Sequence, residues 1–393
     1  KAFYLLGQIL GSHTFGMALY TLIQMLLLAI SFAYLMLFLY RISLKWQTQS
    51  IIFIFLAFAP FCSIMSISMT KDTIFTAFFL NICVWLGYIS FKPSLIMQRW
   101  FQIYAIFNIV GLWLFRNNGM YILIIIGFAG TIYYKNIRKI YFKLLVFSCL
   151  LALLFNNSLT WTCQAQSVSS NEMLSVPYQQ IANVYSYEAD QLSPSTKSQI
   201  ETILPNVSSY NKHKSDEVKG SGTAHNDWKG FIKLYLSLFF DYPIHYIEGF
   251  LLNTQGYWYI DDISFSQMYG FGPGSRLGYM PTDPHEGFDV YHISHFKALE
   301  NLYEALFSSN LYQCIPVLAV LLSPAFYFWI VIYSFFYMLQ NKLRLCAMPA
   351  ILVASLLLTV LAGPCVLIRY AFPYIVCVPL LLTLTFGSVR QEI

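Results

Sequence analysis

The chain has 393 residues, of which 58% are hydrophobic, 18% aromatic and only 10% charged. A soluble domain carries about a quarter charged residues, so this composition excludes an ordinary water-soluble globular fold. The net charge of +5 excludes little by itself, because the placement of charges says more than their sum.

Apolar runs close to the length a helix needs to cross a bilayer recur along the chain. The opening stretch, KAFYLLGQILGSHTF, has neither a basic leader nor a small-residue cleavage site and reads like a chain entered midway. Nine spans are predicted, at roughly 16–40, 50–69, 73–90, 100–115, 119–134, 141–158, 311–339, 347–367 and 371–387. The seventh run is long enough to tilt or to extend past the bilayer. Eleven Lys and Arg fall at the connections after the first, third, fifth, seventh and ninth spans, with Glu392 as the only acid there. That bias marks these connections as cytoplasmic. The opposite side receives all seven histidines and 17 of the 18 acids. The expected fold class is therefore an all-α polytopic membrane protein of about nine transmembrane helices. Residues 1–158 form a six-span membrane domain after a short amphipathic start. Residues 159–310 form a mainly helical extracytoplasmic domain inserted between spans six and seven, and 311–393 a three-span membrane domain. Membrane lipid is an implied partner and nucleic acid is not. Seven cysteines lie in or beside apolar runs and Cys163 stands alone, with no spacing that marks a disulfide framework or zinc site.

The outer short loops are nearly bare, yet each carries one cation: Lys71, Arg116 and Arg369. The positive-inside rule disfavours all three, and an ionisable residue at membrane depth is a functional candidate. Lys71 and Arg369 start the spans that follow them, where the helix dipole opposes a cation unless an anion is bound as well. Arg116 ends its span, where the dipole favours it. Each has a plainer reading as a snorkelling or salt-bridged cation. Asp72, beside Lys71, could neutralise it, orient it, bind a metal or act on a hydroxyl. In LFRNNGMY, Asn117 adds an amide donor and Asn118-Gly119 reads as a tight turn.

Within 159–310, SVPYQQIANV places Gln179 and Gln180 on a helix after Pro177, as amide donors for a sugar or as parts of an ordinary capped helix. KHKSDEVKG reads as a solvated turn. KGFIKLYLSLFFDYPIHYIEGFLL (229–252) reads as an amphipathic helix near a membrane surface, interrupted at Pro243. Trp258 and Tyr259, ahead of Asp261 and Asp262, suit carbohydrate stacking or an interfacial aromatic belt. DPHEGFDVYHISH is dense in His285, Glu286, Asp289, His292 and His295; without an HExxH pattern no metal site is assigned. GxSxG, P-loop and CxxC motifs are absent, as is any GxGxxG after a strand. Few charges lie inside the spans, which argues against an ion-coupled transporter.

LGQILGSHTFGMALYTLIQMLLLAISFAY, SMTKDTIFTAFFL, LFRNNGMYILI, SVPYQQIANV, SDEVKG and RYAFPYIVCVPLLL occur in this order. In them the chain resembles a family of Gram-positive bacterial membrane proteins of unknown function, which looks like a branch of the GT-C-type glycosyltransferases that include protein mannosyltransferases. The resemblance implies a GT-C-like fold and transfer of a sugar from a polyprenyl-phosphate donor to a cell-envelope glycan or lipid-linked acceptor, on the outer face of the plasma membrane. It implies donor-phosphate binding by Lys71, Arg116, Asn117 and Arg369. Gln179, Gln180, Tyr370 and Trp258 are the acceptor-side candidates, and Asp72 is a catalytic candidate. GT-C enzymes place a catalytic acid in the first outer loop, and this sequence begins after that loop, so the family's general base has no match here. No tightly bound cofactor is expected, and dependence on a divalent metal is open. A polymerase or ligase moving a whole lipid-linked oligosaccharide, and a non-enzymatic lipid-saccharide flippase, are the alternatives.

Overall fold

The computed structural model describes residues 2–163, 170–261, 275–276, 280–281, 295–307 and 311–387. In chain order its helices are α1 (Ala2–Ile9), α2 (His13–Arg41), α3 (Trp46–Phe58), α4 (Pro60–Ile67), α5 (Lys71–Phe91), α6 (Arg99–Phe115), α7 (Asn118–Tyr133), α8 (Arg138–Cys163), α9 (Ser175–Glu188), α10 (Pro194–Ile203), α11 (Asp216–Gly220), α12 (Trp228–Asp241), α13 (Pro243–Trp258), α14 (Lys297–Phe307), α15 (Pro316–Leu322), α16 (Pro324–Asn341), α17 (Arg344–Leu361) and α18 (Ile368–Phe386). Among the described residues the only strands are Ser275–Arg276 and Met280–Pro281, paired antiparallel. The chain is an all-α membrane protein. Five helices, α2, α5, α8, α17 and α18, are long and apolar enough to cross a bilayer, and two bent pairs, α3–α4 and α15–α16, bring the number to seven. The remaining two apolar runs form α6 and α7, helices of 17 and 16 residues.

Both bends fall at prolines. Proline has no N–H to donate and pushes the preceding residue out of the helical region. Ala59 before Pro60 and Ser323 before Pro324 are accordingly extended, and the helices on either side diverge by 46° and 60°. The long seventh run is thus broken at Ser323, a little before its midpoint.

The chain divides into two compact units. The first comprises residues 1–164, 266–359 and 367–393. At its centre stand α5 and α18, whose most apolar stretches are 89% and 83% buried, whereas those of α2 and α8 are only 33% and 28% buried. Exposed Leu22, Leu26 and Ile30 on α2, and Leu150 and Leu154 on α8, are what a lipid-facing surface requires. Polar groups inside the bundle pair with one another, as they must where no water reaches them. Asn81 of α5 donates to Asn108 of α6 at 2.9 Å, and Gln24 of α2 donates to the Ser66 and Ser68 carbonyls at 2.7 and 2.8 Å. Tyr374 of α18 donates to the carbonyl of Pro324 at 3.1 Å, bracing the start of α16.

The second unit comprises residues 165–265 and 360–366. Its helices α9 to α13 enclose a core built around Tyr178, Ile181, Val218, Phe231, Leu234 and Tyr246. Ser193 caps α10 through the Thr196 amide, and Asp227 caps α12 through the Gly230 amide at 2.9 Å. The short segment 360–366 is woven into this unit. Ser215 donates to the Pro364 carbonyl from both its amide and its hydroxyl, and Asn253 donates to the Gly363 carbonyl at 3.0 Å. Compared with the sequence-based boundaries, the unit gives up α14 and gains this segment.

Candidate functional site

The site grows from the start of α5. The three residues before it, Ser68 to Thr70, are held by α2: Gln24 takes the Ser68 carbonyl and Tyr20 donates to the Thr70 carbonyl at 3.2 Å. Thr73 donates back to the Met65 carbonyl in α4. This fixes the angle at which α5 begins. Adjacent helical residues point about 100° apart. Lys71 therefore turns outward and is exposed, while Asp72 turns inward and is only 3% exposed.

Arg116 arrives from α6. It is the extended residue that ends α6, and α7 begins only two residues later. So tight a reversal presses Gly119 against the last turn of α6, where an added Cβ would stand 2.4 Å from the Leu112 carbonyl oxygen. Asn118 and Gly119 thus form the first turn of α7, and the glycine is needed for close approach rather than for a left-handed turn. Arg369 arrives from the first turn of α18.

Each carboxylate oxygen of Asp72 faces one arginine. Oδ1 lies 3.2 Å from Arg116 Nη1, and Oδ2 lies 3.9 Å from Arg369 Nε. Tyr370 stands between the two cations. The Arg116 guanidinium lies 4.7 Å from its ring centroid and the Arg369 guanidinium 4.9 Å, and Arg369 Nη2 donates to its hydroxyl at 3.0 Å. Phe75 offers Arg116 a second ring at 5.5 Å. The dipoles of α5 and α6 favour Asp72 and Arg116 where they sit, and that of α18 opposes Arg369, which the Asp72 carboxylate offsets. Side-chain exposure rises from Asp72 (5%) to Arg116 (12%) to Arg369 (27%), so the cluster opens on the Arg369 side. Summed over Asp72, Arg116 and Arg369, its formal charge is +1. Asp72 Oδ1 and Arg116 Nη1, though close, are not aligned for a hydrogen bond and have no other partner among the described residues.

Of the sequence-predicted phosphate ligands, Arg116 and Arg369 meet, and they meet at Asp72. Lys71 makes no ion pair among the described residues, and Asn117 is exposed with its carbonyl accepting from the Met120 amide. The acceptor-side candidates in the second unit are largely committed to its fold. Gln180 donates to the Tyr246 carbonyl at 3.1 Å and accepts from the Tyr235 hydroxyl at 2.7 Å. Gln179 is buried and donates to the Asn211 carbonyl. The half-buried Trp258 bonds the Thr254 hydroxyl of its own helix at 3.4 Å. His285, Glu286, Asp289, His292 and Asp262 lie outside the described residues, and His295 is exposed. Among the described residues no group of three His, Cys, Asp or Glu could hold a metal.

Apart from the cluster, each unit has a hollow among its described residues. In the first unit an apolar cavity of about 550 Å³ lies among α2, α3, α4 and α14, with Phe32, Leu56, Cys62 and Tyr303 in its wall and the buried carboxyl residue Glu300 beside them. In the second, a groove of about 580 Å³ runs between α10 and α12. Leu234 and Leu238 form its floor, and Thr202, Asn226, Lys233 and Asp241 stand on its rim.

Residues 2–392 match the model of a family of unknown function, DUF6020. The chain belongs to the DUF6020 family. No curated protein and no solved structure matches this DUF6020 chain.

One cluster escaped sequence reasoning altogether. His245 on α13 sits between Glu188 of α9 (Nε2 to Oε1, 2.9 Å) and Glu248 (Nδ1 to Oε2, 3.2 Å), with the Tyr187 ring stacked on it. Its spacing to Glu248 is a helical neighbour pair and could have been found; Glu188 comes from far along the chain. Burial alone would lower the His245 pKa, but the hydrogen bonds and charges of the two glutamates outweigh it and raise the pKa above the ordinary histidine value.

Proposed function

We propose that this DUF6020 protein is a GT-C-like membrane glycosyltransferase that moves a sugar from a polyprenyl-phosphate donor to a cell-envelope glycan or lipid-linked acceptor. In this reading all nine apolar runs span the plasma membrane, the basic connections are cytoplasmic, and the second unit is extracytoplasmic. The observation that carries it is the meeting of Arg116 and Arg369 at Asp72, at the ends of helices otherwise almost free of charge. Two guanidiniums from different helices converge beside one carboxylate, and Arg is suited to bidentate phosphate recognition.

In the transfer, an acceptor hydroxyl oxygen attacks the anomeric carbon as the bond from that carbon to the phosphate oxygen breaks. The electron pair leaves with the lipid phosphate, and the hydroxyl proton passes to a carboxylate. Arg116 and Arg369 act where that negative charge develops, which is the place such groups lower a barrier most. Asp72 holds the two guanidiniums together before the phosphate arrives, and Tyr370 fixes their planes. The apolar cavity among α2, α3, α4 and α14 suits an isoprenoid chain, and the groove between α10 and α12, apolar below and polar at its rim, suits a saccharide.

The test is reconstitution in liposomes with a panel of polyprenyl-phosphate sugars and labelled-sugar transfer as readout. Arg369→Ala, the more exposed of the two arginines, is expected to abolish transfer while the protein stays folded. Transfer undiminished in that variant, or lipid-saccharide scrambling without transfer from any donor, would overturn the reading.

A further inference from the structure

Helix α12 presents three faces to three surroundings. Phe231, Leu234 and Leu238 enter the core of the second unit. Lys233, Ser237 and Asp241 border the groove shared with α10. The third face is apolar and open, with Ile232, Leu236 and Phe240 exposed by 51%, 47% and 75%. Beyond the break at Pro243 the same character continues on α13, where Ile244, Ile247 and Leu251 are exposed by 76%, 58% and 42%. The spacing of three or four residues on both helices makes one stripe on each. A water-surrounded domain seldom leaves such a surface uncovered.

Chain connectivity bears on what could cover it. The second unit includes residues 360–366, and this segment joins α17 to α18, both long and apolar enough to cross a bilayer. So short a connection between two spans lies at the membrane edge. Helix α13 is fastened to it by the Asn253 to Gly363 hydrogen bond. At about 1.5 Å rise per residue, Ile244 lies about 14 Å along the helix from that anchor, and Leu251 only about 3 Å. Exposed Trp228 and Lys229 at the start of α12, and exposed Tyr259 just beyond α13, are side chains of the interfacial kind.

We propose that α12 and α13 form a bent interfacial anchor, with the apolar stripe seated at the headgroup–acyl boundary of the bilayer that α17 and α18 cross, and with Lys229 and Lys233 placed for anionic lipid headgroups. The anchor is independent of the sugar-transfer reading. It holds the second unit against the lipid surface whatever chemistry the protein performs.

The test uses the full chain in vesicles of phosphatidylcholine and phosphatidylglycerol. Cysteine placed at Phe240 or at Ile247 carries an environment-sensitive fluorophore, and the labelled parent supplies the baseline from native cysteines. Ser198, exposed on α10, is the aqueous control. Labels at 240 and 247 should show a blue-shifted emission, quenching by lipids spin-labelled near the headgroup, and loss of quenching by iodide; the label at 198 should show the reverse. Iodide quenching at 240 and 247 equal to that at 198 would overturn the proposal. So would protection from both quenchers, the pattern of a stripe covered by a second protein copy. All three labels replace exposed side chains, so folding is preserved.

Discussion

Each unit of this protein contains a three-part ion cluster whose signs reverse those of its counterpart in the other unit. In the first, one carboxylate, Asp72, lies between two arginines from different helices. In the second, one imidazole, His245, lies between two carboxylates. Guanidinium stays charged at any working pH, whereas imidazole gains or loses its charge in the physiological range. The Asp72 cluster is thus permanently charged on its cationic side and enclosed at the end of an apolar bundle. The His245 cluster is conditional and ties two helices of the second unit together. The same electrostatic arrangement is fixed in one place and adjustable by pH in the other.

The largest expected effect breaks the fixed cluster. Asp72→Asn removes the anion that Arg116 and Arg369 share, leaving two guanidiniums close together with Arg116 nearly enclosed. Breaking a buried pair by removing one partner costs about 3–5 kcal/mol. Thermal unfolding in detergent should fall accordingly, and inorganic phosphate added to the variant should restore part of the loss by replacing the missing anion. A variant as stable as the parent would mean that Asp72 does not hold the arginines.

Next in size is the reversal that delivers Arg116. Gly119→Ala places a methyl where the Leu112 carbonyl oxygen already lies, 2.4 Å from the new carbon. Overpacking of this kind costs about 1–3 kcal/mol. Because α6 and α7 must then separate at the residue bearing the guanidinium, the transfer activity proposed above should fall more steeply than stability. Loss of stability with undiminished transfer would show that the α6–α7 link only packs the bundle and does not aim Arg116.

Much of this was legible in the sequence, and the rest fails for identifiable reasons. Every predicted apolar run is a helix or a bent pair of helices, because hydrophobic length is a property of consecutive residues. Pro243 divides α12 from α13 where expected. The oddity of Arg116 and Arg369 in bare loops was visible as well, but their meeting at Asp72 was not, since partners so distant along the chain leave no periodic trace. Lys71 and Asp72 show the limit most clearly. As neighbours they look like one charge pair, yet the start of α5 sends one outward and the other inward. Gln179 and Gln180 show another limit: an amide that serves a ligand and one that serves a backbone carbonyl are the same letter, and only the fold assigns Gln180 to Tyr246 and Tyr235.

The smallest expected effect, and the one that best sharpens the contrast, concerns the adjustable cluster. The groups facing His245 are Glu188 from α9, Glu248 from its own helix, and the rings of Tyr187 and Tyr242. The two carboxylates raise its pKa in the folded state, so the protonated ring ties α9 to α13 more firmly than the neutral ring does. A raised folded value means that this stabilisation is complete below the ordinary histidine pKa of about 6.5 and is lost as the pH rises through the folded value. Amide exchange in α9 and α13 should therefore be slower at pH 6 than at pH 8, after correction for the intrinsic pH dependence of exchange. In His245→Gln that difference should shrink, because glutamine keeps polar contacts but cannot titrate. The helices α5, α6 and α18 should show no matching change, since none of them contributes a residue to the His245 cluster. An unchanged pH dependence in His245→Gln would place the switch on some other group and leave His245 as simple packing between two helices.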